Sequence, residues 1–455
     1  MKTAINFASL LILAALAMAG CAKKGAPLFV QDPEIRAQLQ SFTTEKESQA
    51  QSLALADSKQ LPPEFTRFFS AVENGDWEAT TNDYAKMKSR VDSDNTLYGS
   101  WWQPVLEVFG SAEQFALGDE KYAAAFGNDI IQSLPPDSIY LGGTDPGRFI
   151  VTALEKSPRA GDPFFGLSQN PLTDKTYLDY LRSIYGGKIY LPTTNDWQKC
   201  YDDYFQDFAQ RQATHQLQPG ESVTNGSDGK MHVNSYLSVL QVRSLLARVV
   251  FNQNTDREFY VEESFPLEWM YPCLEPHGLI FKLDRQPLSA LSDDIVQQDH
   301  AYWTKTISPM IGDWLNDDTT VTNIAAFTEK VYLQHDYNGF TGDPAFVENE
   351  LSCRMFSKER SSIAGLYAWR AQHDTDLATR QRMAAAADFA YRQAWALCPD
   401  SPEAVFGYVT FLMTEKRTSN ALEVAETAAK FRGGPMATFD QLVSNLKRYQ
   451  LQPEK

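Results

Sequence analysis

The stretch that decides the fold is SIYLGGTDPGRFIVTALEK, residues Ser138–Lys156. A short apolar run ends at two glycines, and Thr-Asp-Pro-Gly then opens a helical pattern. Thr144 and Asp145 can each cap that helix, and Pro146 suits its first turn. The stretch therefore predicts a strand, a tight turn and a helix, which is the unit from which α/β proteins are built.

Strands and helices continue to alternate downstream. Apolar or aromatic runs occur in PFFGLS, REFYVEE and GLIFKLD, and KIYLP (Lys188–Pro192) is a further candidate strand. Helical patterns lie between these runs, over residues 146–156, 175–185, 197–214 and 236–251. ESVTNGSDGKMHV is typical of a surface hairpin. We therefore predict an α/β domain over residues 137–290, with a small parallel sheet covered by helices.

All-α segments flank this domain, so the predicted fold class is α/β plus all-α. Residues 61–136 contain the patterns of two helical hairpins, each a pair of helices joined by a short turn. Within them Trp101 and Trp102 are expected in the core, although adjacent aromatic rings can also stack on sugars. Residues 291–455 also show helical patterns, and the lone histidines His300 and His335 are expected to play surface or hydrogen-bonding roles.

A sequence period marks the C-terminal helices. Three positions recur 34 residues further on: Ala387, Tyr391 and Ala394, and then Ala421, Ala425 and Ala428. This spacing resembles degenerate tetratricopeptide repeats, whose small residues allow two helices to pack closely. An upstream helix, SSIAGLYAWRA, is expected to be separated from its partner by the insert QHDTDLATRQ. The resemblance implies tetratricopeptide-like hairpins, which commonly bind peptides or neighbouring domains.

The turn after the first strand is a candidate ligand-binding edge. In an open parallel sheet, ligands bind beyond the carboxyl ends of the strands, and free amides at a helix start can hold an anion. The candidate residues are Gly143, Thr144, Asp145, Arg148, Asn170 and Glu262. The same pattern is also an ordinary tight turn with a helix cap, and it matches neither a dinucleotide-binding nor a P-loop motif.

Composition and charge restrict the function. The chain of 455 residues is 43% apolar and carries a net charge of −17, which opposes nucleic acid as a partner. No HExxH or GxSxG signature occurs, so we predict no catalytic residue, cofactor or metal site and leave enzymatic activity open. Four cysteines fit no zinc template and are expected as buried thiols, although an oxidising periplasm permits a disulfide: Cys200, Cys273, Cys353 and Cys398.

The N-terminus predicts export. Lys2 precedes an apolar run that is too short to span a bilayer, and Met-Ala-Gly precedes Cys21. This pattern resembles a bacterial lipoprotein signal, which implies cleavage after residue 20 and lipid on Cys21. Ala22 in the next position favours the outer membrane, with a periplasmic or surface face. Residues 21–60 are polar, loop-like at first and then with a weak helical pattern, so we expect a lipidated tether that is partly helical and mobile. An ordinary secretory peptide or an uncleaved signal anchor is the alternative.

The central motifs carry a second resemblance. SIYLGGTDPGRFIVTALEK, PFFGLSQNPLTDKTYLDYLR, REFYVEES and CLEPHGLIFKL are similar to the soluble tail of membrane-bound protein O-mannosyltransferase-like proteins. That tail is an α/β and tetratricopeptide region that follows a multi-spanning catalytic half. This chain has no such half, so the resemblance implies an accessory or acceptor-handling domain without transferase activity.

These observations predict a lipid-anchored, periplasm-facing scaffold or binding protein. It would reach the membrane through Cys21 and hold an unidentified protein partner with its helices, around an α/β hub. The alternative is a glycan- or small-ligand-binding protein, related to glycosylation, that uses the edge around Thr144 and Asp145.

Overall fold

The computed structural model describes residues 28–94, 98–155, 163–217, 223–225, 231–233, 236–431 and 436–450. The predicted signal peptide and Cys21 lie outside these ranges. Within them the chain is mostly helical, with one five-stranded sheet and a separate two-stranded hairpin. None of the helices in these ranges is both long and apolar enough to cross a bilayer.

Along the chain, a central region in which strands and helices alternate lies between two all-helical regions. The helices are α1 Pro33–Ala56, α2 Pro63–Glu73, α3 Trp77–Asp94, α4 Trp102–Leu117, α5 Glu120–Ser133, α6 Asp145–Leu154, α7 Lys175–Tyr185, α8 Thr194–Ala213, α9 Tyr236–Gln253, α10 Asp293–Ile311, α11 Val321–Phe327, α12 Pro344–Glu348, α13 Glu350–His373, α14 Leu377–Leu397, α15 Pro402–Thr414, α16 Thr418–Ala428 and α17 Met436–Gln450. The strands are β1 Ile139–Gly142, β2 Phe165–Leu167, β3 Val223–Asn225, β4 Met231–Val233, β5 Phe259–Glu262, β6 Leu274–His277 and β7 Ile280–Leu283.

The five-stranded sheet is mixed, with the order β2-β1-β5-β7-β6. β1 is parallel to both β2 and β5, whereas β7 is antiparallel to β5 and to β6. The prediction of a parallel sheet is therefore wrong for this half. The physical reason is the two-residue connection between β6 and β7, because a turn that short can join only antiparallel strands. Gly278 supplies the positive φ of 64° in that turn.

The candidate strand KIYLP does not pair with the sheet. The amide of Tyr190 donates to Asn254 Oδ1 at 2.7 Å, and Asn254 Nδ2 donates back to the Tyr190 carbonyl oxygen at 3.1 Å. A side chain therefore satisfies the backbone groups that a neighbouring strand would otherwise take.

The N-terminal segment is part of the packed body. The prediction of a mobile tether over residues 21–60 is wrong from Pro33 onward, because α1 packs against α2, α4 and α6. Its buried face includes two polar side chains, Thr43 and Lys46, so the helix shows only a weak amphipathic pattern in the sequence. The buried residues of α1 are Leu39, Phe42, Thr43, Lys46, Ala50 and Ala54.

Lys46 fixes α1 to the core through a buried ion pair. Its ammonium group lies 2.6 Å from Glu107 Oε2 on α4 and donates to the hydroxyl oxygen of Tyr180 on α7 at 2.7 Å. Tyr180 in turn donates to Glu107, which closes the triad. Lys46 is 1% exposed, so its charge depends on these partners rather than on water.

The first helical hairpins pack around aromatic rings. Tyr84 of α3 stacks on Phe109 and on Trp102 of α4. Trp101 and Trp102 are 5% and 2% exposed, so they lie in the core and offer no platform for a sugar.

The C-terminal helices form successive hairpins from α13 to α17. The predicted insert between the first two is wrong, because α13 and α14 extend through most of it and leave only Asp374–Asp376 as a connection. The recurring alanines of α14 and α16 are fully buried between helices, as close packing requires.

Substitution of Lys46 tests whether α1 belongs to the core. Lys46→Met is expected to lower the free energy of unfolding by about 3–5 kcal/mol, because Glu107 would stay buried without its cation. Chemical denaturation at neutral pH measures this loss. Lys59→Met, at an exposed lysine just after α1, is the matched control and is expected to change stability by less than about 0.5 kcal/mol. Equal effects of the two substitutions would contradict the packing of α1.

Candidate functional site

The carboxyl ends of the parallel strands bring the candidate residues together. In the β1–β5 register Gly142 lies opposite Glu262, so the turn that follows β1 meets the last residue of β5. Gly143 and Thr144 then lead directly into α6, with Thr144 as its N-cap. Three of the six sequence-predicted residues, Gly143, Thr144 and Glu262, therefore meet at one point.

The anion at the start of α6 is the chain's own Glu262. The amides of Gly143 and Thr144 donate to Glu262 Oε2 at 2.9 and 3.0 Å. The Thr144 hydroxyl donates to Glu262 Oε1 and accepts from the amide of Gly147 at 3.2 Å. Glu262 is 0% exposed, so these donors and the helix dipole take the place of its water shell.

Two glycines make room for this arrangement. A Cβ atom on Gly147 would lie 1.8 Å from Glu262 Oε2, and one on Gly143 would lie 1.2 Å from Glu263 Oε2. Neither glycine needs a positive φ, so their role is to let the backbone approach the carboxyl groups closely.

Glu263 and Glu359 complete a cluster with Glu262, hereafter the carboxyl cluster. Glu359 projects from α13, is 1% exposed and hydrogen-bonds to Glu262. Burial first, and then the neighbouring Glu262, raise the pKa of Glu359 well above its ordinary value. The same two causes raise the pKa of Glu263 to about 8, although a hydrogen bond from Gln169 and the charge of Lys358 oppose the shift.

These shifts mean that Glu263 and Glu359 hold protons near neutral pH. Glu359 Oε2 and Glu263 Oε2 have no hydrogen-bond partner among the described residues, which a protonated carboxyl tolerates better than a carboxylate does. A protonated Glu359 can donate its hydrogen to Glu262, so the pair shares a proton rather than repelling.

Helix α13 closes the cluster from the outside. The Ser362 hydroxyl donates to the carbonyl oxygen of Glu263 at 2.5 Å. Lys358, one residue before Glu359, pairs with Glu403 of α15 at 3.3 Å. The strand ends are thus covered by a helix from the C-terminal region, which leaves little room for an external ligand.

The other three predicted residues lie apart from this contact. Asp145 is exposed in the first turn of α6. The burial of Glu113, and secondarily the charge of Asp145, raise the pKa of Glu113 to about 7. The guanidinium of Arg148 lies 4.8 Å from the Phe149 ring centroid and 5.7 Å from that of Tyr177. Asn170 is exposed at the start of a 3₁₀ turn.

Sequence reasoning missed Glu359, a member of the carboxyl cluster, and Gln169, a hydrogen-bond partner of Glu263. Gln169, rather than the neighbouring Asn170, reaches Glu263. The signal in the sequence for Glu359 was the charged triplet Lys358-Glu359-Arg360 inside α13. Consecutive side chains point to different sides of a helix, so in a helix that is packed on several sides such a triplet must place a charged residue in the interior.

A second buried charge sits further along α10 and α13. Asp299, next to the lone His300, accepts from Arg360 at 2.8 Å and from the Tyr367 hydroxyl at 2.9 Å. Arg360 also donates to Gln393 at 2.8 Å. Asp299 is therefore a structural partner of Arg360, and the described residues contain no group of histidine, cysteine and carboxyl side chains arranged to hold a metal ion.

Two features remain on the surface. An open groove of about 1060 Å³ lies along α2 and α3, lined by Leu61, Pro62, Pro63, Ser70 and Ala79 with Arg67 and Asp83 among its polar residues. On α8, Trp197 stacks on Tyr201 with the ring centroids 5.3 Å apart, and both side chains are 37% exposed.

Comparisons with protein-family models, with curated proteins and with solved structures found no match for the chain.

Substitution of Gly147 tests the contact between Glu262 and α6. Gly147→Ala is expected to lower the free energy of unfolding by about 1–3 kcal/mol, because the added methyl group displaces a buried carboxylate from its donors. The loss would be diagnostic, since alanine otherwise favours a helix over glycine. Gly187→Ala is the control, because no atom lies within 4 Å of its added Cβ. A Gly147→Ala protein as stable as this control would contradict the site.

The raised pKa of Glu263 predicts a pH dependence. The folded state holds the proton up to about pH 8, whereas the ordinary value is 4.5, so protonation stabilises the fold fully below pH 4.5. That stability is lost as the pH rises from 4.5 to 8. Glu263→Gln, which stays neutral, should therefore gain stability relative to wild type over this range. Urea denaturation at several pH values measures the difference, and a constant difference would show that Glu263 does not titrate there.

Proposed function

We propose that the protein is a lipid-anchored binding or scaffold protein that faces the periplasm. In this proposal, cleavage before Cys21 leaves a lipidated residue that holds the chain at the outer membrane. The helices bind a protein partner, and the α/β region acts as the hub on which they pack. The lipoprotein-like N-terminus supports the anchor, and the charge of −17 argues against nucleic acid as the partner.

The observation that carries the proposal is the occupied strand end. A small anionic ligand would need the amides of Gly143 and Thr144, and both already donate to Glu262. The alternative function, glycan or small-ligand binding around Thr144 and Asp145, therefore lacks its free donors. Binding to an exterior surface needs no such rearrangement, which favours a protein partner.

The C-terminal hairpins support a repeat-like role. Tyr391 of α14 packs between neighbouring helices, where Gly407 of α15 leaves space for its ring. The buried alanines of α14 and α16 recur at the tetratricopeptide interval. We infer that these hairpins are degenerate tetratricopeptide-like repeats, in line with the resemblance to the soluble tail of O-mannosyltransferase-like proteins. By that resemblance the chain is an accessory or acceptor-handling domain.

The groove along α2 and α3 is the first surface to test. Its lining combines proline and alanine side chains with the charged side chains of Arg67 and Asp83.

Affinity purification from cross-linked envelopes tests the proposal. The wild-type protein should incorporate labelled palmitate and recover a partner in near-equal amounts, and Cys21→Ser should lose the label. Ser70→Arg, which places a long cation in the groove, should reduce partner recovery about tenfold, a change of about 1.4 kcal/mol.

Ser52→Arg is the matched control for that experiment, because Ser52 is exposed on α1 away from the groove. It should recover the partner as the wild type does. Repeated purification without any stoichiometric protein, or wild type without palmitate, would contradict the proposed function.

A further inference from the structure

Helices α13 and α14 face each other in a defined antiparallel register. The Ser357 hydroxyl of α13 donates to the carbonyl oxygen of Ala394 on α14 at 2.7 Å. Cys353 lies one helical turn before Ser357, and Cys398 lies one turn after Ala394. Cys353 shares a face of α13 with Ser357, because side chains four residues apart lie on one side of a helix. Cys398 is the C-cap residue of α14, and its amide donates to the same Ala394 carbonyl oxygen at 3.3 Å, so the register brings the two cysteines to the same end of the hairpin.

The two thiols are in contact. The Cys398 thiol lies within hydrogen-bonding reach of Cys353, and the two residues, Cys353 and Cys398, are 4% and 0% exposed. Each sulfur also reaches an oxygen at 3.4 Å, from Glu350 for Cys353 and from Asp400 for Cys398. Proximity of this kind is the first requirement for a disulfide, whose two cysteines must lie close together in the folded chain.

We propose that Cys353 and Cys398 form a disulfide bond that ties the start of α13 to the end of α14 when the chain folds under oxidising conditions. Each Sγ–H bond breaks and one Sγ–Sγ bond forms, with the release of two protons and two electrons. The electrons reduce the disulfide of an oxidant, either glutathione disulfide or an oxidised protein dithiol, to two thiols by thiol–disulfide exchange.

Burial decides when the bond forms. An oxidant cannot reach thiols that are at most 4% exposed, and the surroundings of Cys398 raise its pKa well above the ordinary value, first through the hydrogen bond with Cys353 and then through burial. Since exchange requires a thiolate, the bond must form during folding, before α13 and α14 close over it.

The chain contains its own controls. Cys200 on α8 and Cys273 beside β6 are also buried and free, but neither contacts another cysteine within the described ranges. Cys200 and Cys273 are about as buried as Cys353 and Cys398, but neither lies beside a second cysteine in the described part of the chain. If burial alone decided pairing, they would form cross-links as well.

Refolding the full chain in a glutathione redox buffer tests the proposal. The reduced, unfolded protein is refolded, free thiols are blocked with N-ethylmaleimide, and the digest is mapped by mass spectrometry. The expected result is one cross-linked peptide pair that contains Cys353 and Cys398, two hydrogens lighter than the reduced pair, with Cys200 and Cys273 labelled. Thermal unfolding in dithiothreitol, which reduces the bond once the chain opens, should then occur several degrees below unfolding of the oxidised protein without it.

Matched variants sharpen the result. Cys353→Ser should abolish both the cross-link and the effect of dithiothreitol, whereas Cys200→Ser should keep both. Labelling of both Cys353 and Cys398 after refolding, or cross-links that include Cys200 or Cys273, would overturn the proposal.

The proposal uses export only as the source of the oxidant, and the refolding experiment does not depend on it. The same map of protein isolated from envelopes should show the Cys353–Cys398 pair. A cross-link after refolding that is missing from the isolated protein would contradict the proposed periplasmic location and leave the pairing supported.

Discussion

The carboxylate of Glu262 at the start of α6 is the contact on which the arrangement of sheet and helices depends. Glu262 ends β5 and accepts from the first two amides after β1, so one side chain joins two strands and a helix. A buried carboxylate without donors would cost several kcal/mol, and so would the amides of a covered helix end without an acceptor. Each satisfies the other, which fixes the direction in which α6 leaves the sheet.

Helix α13 extends this dependence to the C-terminal region. Its consecutive polar residues reach in different directions, and each finds a partner on another element: Ser357 on α14, Lys358 on α15, Glu359 at the end of β5, Arg360 on α10 and α14, and Ser362 on the backbone after β5. The expected boundary near residue 290 is therefore crossed by the hydrogen bonds that Glu359 and Ser362 make to Glu262 and Glu263. Buried polar groups of this kind specify one arrangement of helices, because any shift would leave a donor or a charge without its partner.

Local signals in the sequence predicted the elements whose ends are defined by nearby residues. Strands β1, β2, β5 and β7 lie within the predicted apolar runs, and α7 has the predicted bounds because Asp174 caps its start and Gly186 follows its end. The failures share another cause. Helix α1 buries Lys46 and α13 buries Arg360, and periodicity reads such residues as solvent-facing. Strand β6 has no apolar run at all, because its pairing with β7 comes from the turn between them.

The candidate site shows the same division between local and distant information. The sequence of Gly143 to Gly147 identifies a helix start that can hold an anion, and the structure gives that start an anion. What local pattern cannot give is the identity of the anion, because Glu262 lies 118 residues from Thr144 in the chain. An internal carboxylate and an external ligand satisfy the same amides, so the local sequence is the same in both cases. The distinction depends on what packs over the edge, and here a helix does. A turn of this kind therefore argues for ligand binding only when its amides are free in the folded chain.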